Sequence, residues 1–134
     1  MLEYHLSAAR QDGSGSVAST RDATIELDTS LAGRRDALNP VELLLASLAA
    51  CIIKGVERSA PMLGFTFQSV DVRLRAARQD APPLLVSIAY ELIVATDESK
   101  RRLELLHTNV RKYGTISNTL AAAVSLTGTI KHKD

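Results

Sequence analysis

Cysteine is nearly absent: the 134-residue chain has one, Cys51. A single thiol excludes an intrachain disulfide and a cysteine-rich zinc site. It leaves an inert packed thiol, a reactive one, or a bridge between two chains. Free cysteine is among the most buried residue types, so the inert reading holds unless the surrounding sequence argues otherwise. An excess of either charge is also missing. Sixteen Lys and Arg against fifteen Asp and Glu leave a formal charge of +1, which argues against nucleic acid or an anionic membrane as partner. Long apolar runs are absent too. The longest uncharged one, Leu43 to Ile53, falls far short of the roughly 20 residues that span a bilayer. Met1-Leu2-Glu3-Tyr4-His5 has no basic region leading into an apolar core, so a cytoplasmic location is expected. His5, His107 and His132 lack metal-ligand spacing, and structural or surface roles are expected for them, with no metal and no cofactor. Ser117 lacks a Gly-x-Ser-x-Gly setting and reads as a helix cap. Asp71, Asp80, Glu91 and Glu104 form no recognisable carboxylate pair. The glycines near Gly13 open no helix after a buried strand, as a dinucleotide site requires.

What remains is a balanced composition, 46% hydrophobic and 23% charged, as in a folded globular chain. The length fits one domain, residues 1–134, of a size that often gains from a partner. Leu2, Tyr4 and Leu6 alternate as a first strand that breaks at Gly13-Ser14-Gly15-Ser16, predicting a hairpin. Thr24 to Asp28 alternates again, and Gly33-Arg34-Arg35-Asp36 reads as a charged loop.

A helix follows. Asn39 suits the N-cap, Pro40 the first helical position, and Glu42, three residues after the cap, completes a capping box. From Val41 to Val56 apolar residues fall on nearly every side of the wheel, which predicts a helix buried all round, its remaining face covered by a second copy of the chain. Pro61 disfavours helical geometry at Ala60 and predicts an end near Ser59. Two strands should follow, from Phe65 to Leu74 and from Leu84 to Val94, joined by the turn Gln79 to Pro83. Thr96 or Asp97 is expected to cap an amphipathic helix carrying Leu103, Leu106 and Val110, closed by Gly114. Ser117 or Asn118 opens a short helix through Ala123, and Val124 to Ile130 forms a last strand. This order is α+β, not alternating βαβ units.

The stretch Asn39-Pro40-Val41-Glu42-Leu43-Leu44-Leu45-Ala46-Ser47-Leu48-Ala49-Ala50-Cys51 resembles the central-helix motif of OsmC/Ohr proteins. Lys112-Tyr113-Gly114-Thr115-Ile116-Ser117-Asn118-Thr119-Leu120 resembles the family's second-cysteine motif, commonly Cys-Pro-Val-Ser. Gly114 stands at the cysteine position and Thr115 at the proline position. The resemblance implies an OsmC-like fold: antiparallel sheets around a buried central helix, in an intertwined homodimer with paired sites at the subunit interface. In catalytic members one cysteine attacks a hydroperoxide, the second condenses with the sulfenic acid, and a dithiol reductant restores the pair. Of these two, only the first is present, as Cys51.

A thiol peroxidase needs a thiolate, a route for peroxide, a donor for the departing oxygen and a reductant. Burial among Leu48 to Ile53 opposes thiolate formation, so a nearby cation is required. Lys54, three residues on, is the weak candidate, and its plain reading is a solvated lysine. Glu42 lies close to the family's site carboxylate, but its Pro-x-Glu-Leu-Leu spacing resembles the OsmC-like branch better than the Ohr branch, where the acid directly follows Pro; its plain reading is the helix cap. The family's amino-terminal arginine has no clean match: Gly13 or Ser14 stands near its place, and Arg10, Arg21, Arg34 and Arg35 are candidates by proximity only. Without a second cysteine, turnover needs an external thiol or dithiol. Two main readings follow. One is a one-cysteine peroxidase acting on organic hydroperoxides or hydrogen peroxide. The other is a non-catalytic dimer that binds a small apolar ligand or senses redox state, with Cys51 structural or a single sensor thiol. A structural remnant presenting a partner-binding surface is the third.

Overall fold

A computed structural model describes all of residues 1–134. The chain forms two compact units, Met1–Leu44 and Leu45–Asp134.

The first unit is a three-stranded antiparallel meander, β1 (Ser7–Asp12), β2 (Gly15–Thr20) and β3 (Ala23–Leu27). Two-residue turns at Gly13-Ser14 and Arg21-Asp22 join the strands, with Arg21 in the left-handed region at φ 53°. The hairpin falls where the glycine-serine cluster puts it. The strand preceding it does not contain Leu2, Tyr4 and Leu6: these lie ahead of β1 and are exposed. Their alternation would stabilise a strand only with a surface to cover its apolar side, and within this unit Ala18 is the one buried hydrophobic residue.

Helix α1 (Pro40–Leu63) starts on the predicted capping box. Asn39 Oδ1 accepts from the Glu42 N–H and Glu42 Oε1 accepts from the Asn39 N–H, both at 2.9 Å. The helix does not stop near Ser59 but continues through Pro61 to Leu63. Proline blocks the residue before it less firmly than an αL glycine stops a helix, and here Gly64 (φ +59°) is that glycine. The Phe65 N–H reaches back to the Ala60 carbonyl and the Gly64 N–H to that of Pro61. This Schellman closure sets Phe65 against Ala60, both buried. Arg102 donates to the Leu63 carbonyl at 2.6 Å, satisfying another end group.

The second unit holds β4 (Ser69–Asp80), β5 (Pro83–Ala95), α2 (Lys100–Tyr113), α3 (Thr115–Ala121) and β6 (Ser125–His132). Its sheet has the order β4-β5-β6. β4 and β5 pair antiparallel, but β5 and β6 are parallel, so this sheet is mixed and not antiparallel throughout. The reason lies in the connection: α2 and α3 carry the chain from the end of β5 back to the start side, and a crossover of that kind returns a parallel strand. Ser99, not Thr96 or Asp97, caps α2, its side chain accepting from the Arg102 N–H. Thr96 Oγ1 already accepts from the Glu98 N–H. The third helix begins at Thr115, ahead of the expected Ser117 or Asn118, and ends at Ala121.

One core fills this unit. Leu48, Ile52, Val56 and Ala60 of α1 recur at helical spacing and pack with Ile88, Tyr90, Leu92 and Val94 of β5 and with Leu103, Leu106 and Val110 of α2. Fully burying such an aliphatic side chain contributes about 1.5–3 kcal/mol, so this stripe fixes α1 on the sheet. Within one chain α1 keeps an open face, the one that the sequence reading assigns to a second copy. Ala50, Ile53, Lys54, Glu57 and Arg58 are exposed, because a single sheet and helix cover only one side of a cylinder.

Candidate functional site

Cys51 lies on α1 beside the buried stripe and not in it. It follows Leu48 and precedes Ile52, both fully buried, and is itself half-buried with a free thiol. Sequence reasoning placed it deeper, because the apolar run around it conceals that Ser47, Ala50 and Lys54 face away from the core.

Lys54 is one turn beyond Cys51, exposed, and makes no salt bridge. Arg58 is two turns beyond Cys51, and its guanidinium carbon lies 5.9 Å from the centre of the Tyr113 ring at the end of α2. Sequence reasoning passed over Arg58. Its spacing of seven from Cys51 was the available signal, since residues seven apart share a helix face.

Glu42 is engaged at the helix start by the reciprocal bonds to Asn39. Those bonds satisfy backbone donors that α1 would otherwise leave open. Among the candidate arginines, Arg34 is committed within its own unit. It holds Asp36 through two bonds of 2.9 and 3.0 Å and reaches Glu26 at 3.3 Å. The hydrogen bonds it donates, first to Asp36 and then to Glu26, push its affinity for the proton higher still, and the Arg34 bond keeps the Asp36 carboxyl below its ordinary range. Asp28, beneath the same loop, accepts from Ser30 and from the Arg34 N–H, and these bonds lower its pKa. Arg10, Arg21 and Arg35 are exposed and form no ion pair.

Gly114 ends α2 and precedes α3 with an ordinary φ of −82°, so left-handed geometry is not what glycine supplies here. What it supplies is room: a Cβ at this position would lie 3.1 Å from both Ser117 Oγ and the Val110 carbonyl oxygen. Ser117 does not cap α3. It stands three residues inside the cap position with its hydroxyl buried and unbonded.

The other titratable groups are dispersed. Glu91 pairs with Lys131, Asp71 with Lys133 and Asp80 with Arg78, none of them with a second carboxylate. His107 shares a 2.6 Å hydrogen bond with the buried Tyr90 hydroxyl, edge-on to its ring. Burial, then the Arg111 charge, lowers the His107 pKa, and burial raises that of Tyr90. His132 bonds the Glu98 carbonyl. No three His, Cys, Asp or Glu side chains come together as a metal centre, and no helix is long and apolar enough to cross a membrane.

The molecule is therefore an α+β protein built on one long helix that carries a lone, half-buried cysteine. It belongs to the OsmC-like protein family, whose model matches residues 33–128. No curated protein sequence matches the chain. Among solved structures, an OsmC-like protein from Mycoplasma pneumoniae is similar with 21% identity and a TM-score of 0.86, covering 98% of this chain and 96% of its own. An organic hydroperoxide resistance protein OsmC from Legionella pneumophila has 20% identity, a TM-score of 0.77 and coverage of 98% and 99%. The organic hydroperoxide resistance protein OhrB of Bacillus subtilis has 16% identity, a TM-score of 0.68 and coverage of 96% and 98%. At these identities the likeness is one of fold.

Proposed function

We propose that this chain is a one-cysteine, thiol-dependent peroxidase of the peroxide-response type, working in the cytoplasm as a homodimer. The observation that carries the reading is Cys51, half-buried on the central helix where the family motif ends. The Cys51 thiolate attacks the outer peroxide oxygen, the O–O bond breaks, and the alkoxide or hydroxide leaves with a proton as alcohol or water. Sulfur, now a sulfenic acid, has given up two electrons. An external thiol condenses with it, releasing water, and a second thiol resolves the mixed disulfide and restores Cys51.

A second copy of the chain accounts for surface that one copy leaves uncovered. Ile53 and Met62 of α1 are 39% and 72% exposed, and the amino-terminal meander has almost no apolar core of its own. Both units then belong to one family domain completed by the partner.

A specific observation favours the competing reading, a ligand-binding or sensing dimer. Glu42 is bound as a helix cap and Arg34 is held by two carboxylates, so neither is free as it stands to assist at sulfur. Kinetics separate the two. With an organic hydroperoxide and excess dithiol, the peroxidase reading predicts continuous, dithiol-dependent peroxide loss that falls to at most a few equivalents per chain when dithiol is omitted. Peroxide loss no faster than the protein-free blank would sink it.

A further inference from the structure

Peroxide reduction at Cys51 needs a donor for the departing oxygen, and Glu42 and Arg34 are both engaged elsewhere. Arg58 forms no hydrogen bond and no ion pair within the chain, and its guanidinium carbon lies 5.9 Å from the centre of the Tyr113 ring. The packing of α2 on α1 turns that guanidinium back toward Cys51. The two helices run antiparallel: Arg102, early in α2, bonds the Leu63 carbonyl at the end of α1, and Val110, later in α2, lies against Gly55. Tyr113 comes almost one turn after Val110, so it stands nearer the level of Cys51 than of Arg58. To lie beside that ring the Arg58 side chain runs toward the start of α1, the direction in which helical side chains lean. Its Nη2 passes 3.5 Å from where a Gly55 Cβ would stand. Gly55 is one turn beyond Cys51, and Cβ positions one turn apart are about 5–6 Å distant. Glycine at 55 therefore leaves no side chain between the thiol and the guanidinium, and it also admits Val110, which an added Cβ would meet at 3.0 Å.

We propose, on the peroxidase reading of Cys51, that Arg58 is the donor to the departing oxygen of the hydroperoxide and that Tyr113 positions it. A hydroperoxide bridges the two groups with its outer oxygen toward sulfur, at about 3–3.5 Å when it reacts, and its inner oxygen toward the guanidinium, at about 2.9 Å. The thiolate electron pair forms the S–O bond, and the O–O bonding pair leaves on the inner oxygen. The Arg58 N–H groups stabilise that developing charge until a proton from water neutralises it, and Arg58 itself stays protonated throughout. Lys54 is on a nearby position of α1, but nothing in the chain holds it in place.

Two rates measured on the full chain test this. The first is sulfenic-acid formation at Cys51 with tert-butyl hydroperoxide in a single turnover. The second is alkylation of Cys51 by iodoacetate relative to iodoacetamide, a ratio in which the reactivity of the thiol itself cancels and a neighbouring cation remains. Arg58→Gln should slow sulfenic-acid formation by about a hundredfold, as loss of one oxyanion donor does, and lower the iodoacetate preference several-fold, with Arg58→Lys recovering part of both. Tyr113→Leu should slow the reaction several-fold while Tyr113→Phe, which keeps the ring, reacts as the parent does. Arg75→Gln, at an exposed position on β4, should leave both rates unchanged. If the parent forms sulfenic acid and Arg58→Gln keeps either its rate or its alkylation ratio, the role of Arg58 is overturned and the peroxidase reading stands. A parent that forms none overturns both.

Discussion

Cys51→Ser should leave the chain folded and abolish peroxide consumption entirely. The chain has no second cysteine to take over, and a serine hydroxyl does not ionise near neutral pH, so no partial activity is expected. Because Cys51 is half-buried and lies beside the α1 stripe, trading sulfur for oxygen there should cost about 1 kcal/mol or less. Denaturant melts of parent and variant, run beside the peroxide assay, separate loss of chemistry from loss of fold. A variant that still consumes peroxide at the parental rate would remove the thiol from the mechanism. A variant that loses several kcal/mol would instead mark Cys51 as packing.

Gly128→Ala should be among the most damaging single-atom additions in the molecule. Gly128 on β6 stands directly opposite Tyr90 on β5, between the apolar pairs Ile88–Leu126 and Leu92–Ile130. The Tyr90 ring lies across the space a side chain would occupy, and a Cβ there would overlap the ring carbons. Tyr90 cannot swing away cheaply, since its hydroxyl is bonded to His107 and the Arg111 guanidinium carbon lies 5.8 Å from its ring centre. Overpacking a core usually costs 1–3 kcal/mol, and this case should reach about 3 kcal/mol or more. In a Tyr90→Ala background the same change should cost less than about 1 kcal/mol, because the atoms it collides with are gone. Urea denaturation of the four proteins of the cycle measures this, and equal costs in both backgrounds would refute the collision.

What could be read from the sequence was what short stretches of chain decide. The start of α1 was legible because Asn39, Pro40 and Glu42 settle it among themselves. Its end was not, since Pro61 points to a stop near Ser59, whereas the helix closes at Gly64, whose positive φ appears only in the folded backbone. Three residues able to cap α2 lie within Thr96 to Ser99, and only the folded arrangement, with Thr96 bonded elsewhere, leaves the role to Ser99. The parallel pairing of β5 with β6 depends on where a crossover of two helices returns the chain, which no local pattern encodes. The same division holds at the site. Cys51 and Glu42 were found through a contiguous motif. The capture of Arg34 by Glu26 and Asp36, the burial of Ser117 and the bond between Tyr90 and His107 arise from contacts between separate elements or across loops.

The central claim is that Cys51 is a reactive thiol. Intact mass spectrometry after brief exposure to low peroxide, with a sulfenic-acid trap present and Cys51→Ser as control, tests it most directly. The account predicts rapid addition of one trap per chain, absent in the control, and progressive over-oxidation of Cys51 when trap and thiol are both withheld, because no second cysteine protects it. An unmodified Cys51 in chains that remain folded would contradict it and leave ligand binding as the better reading.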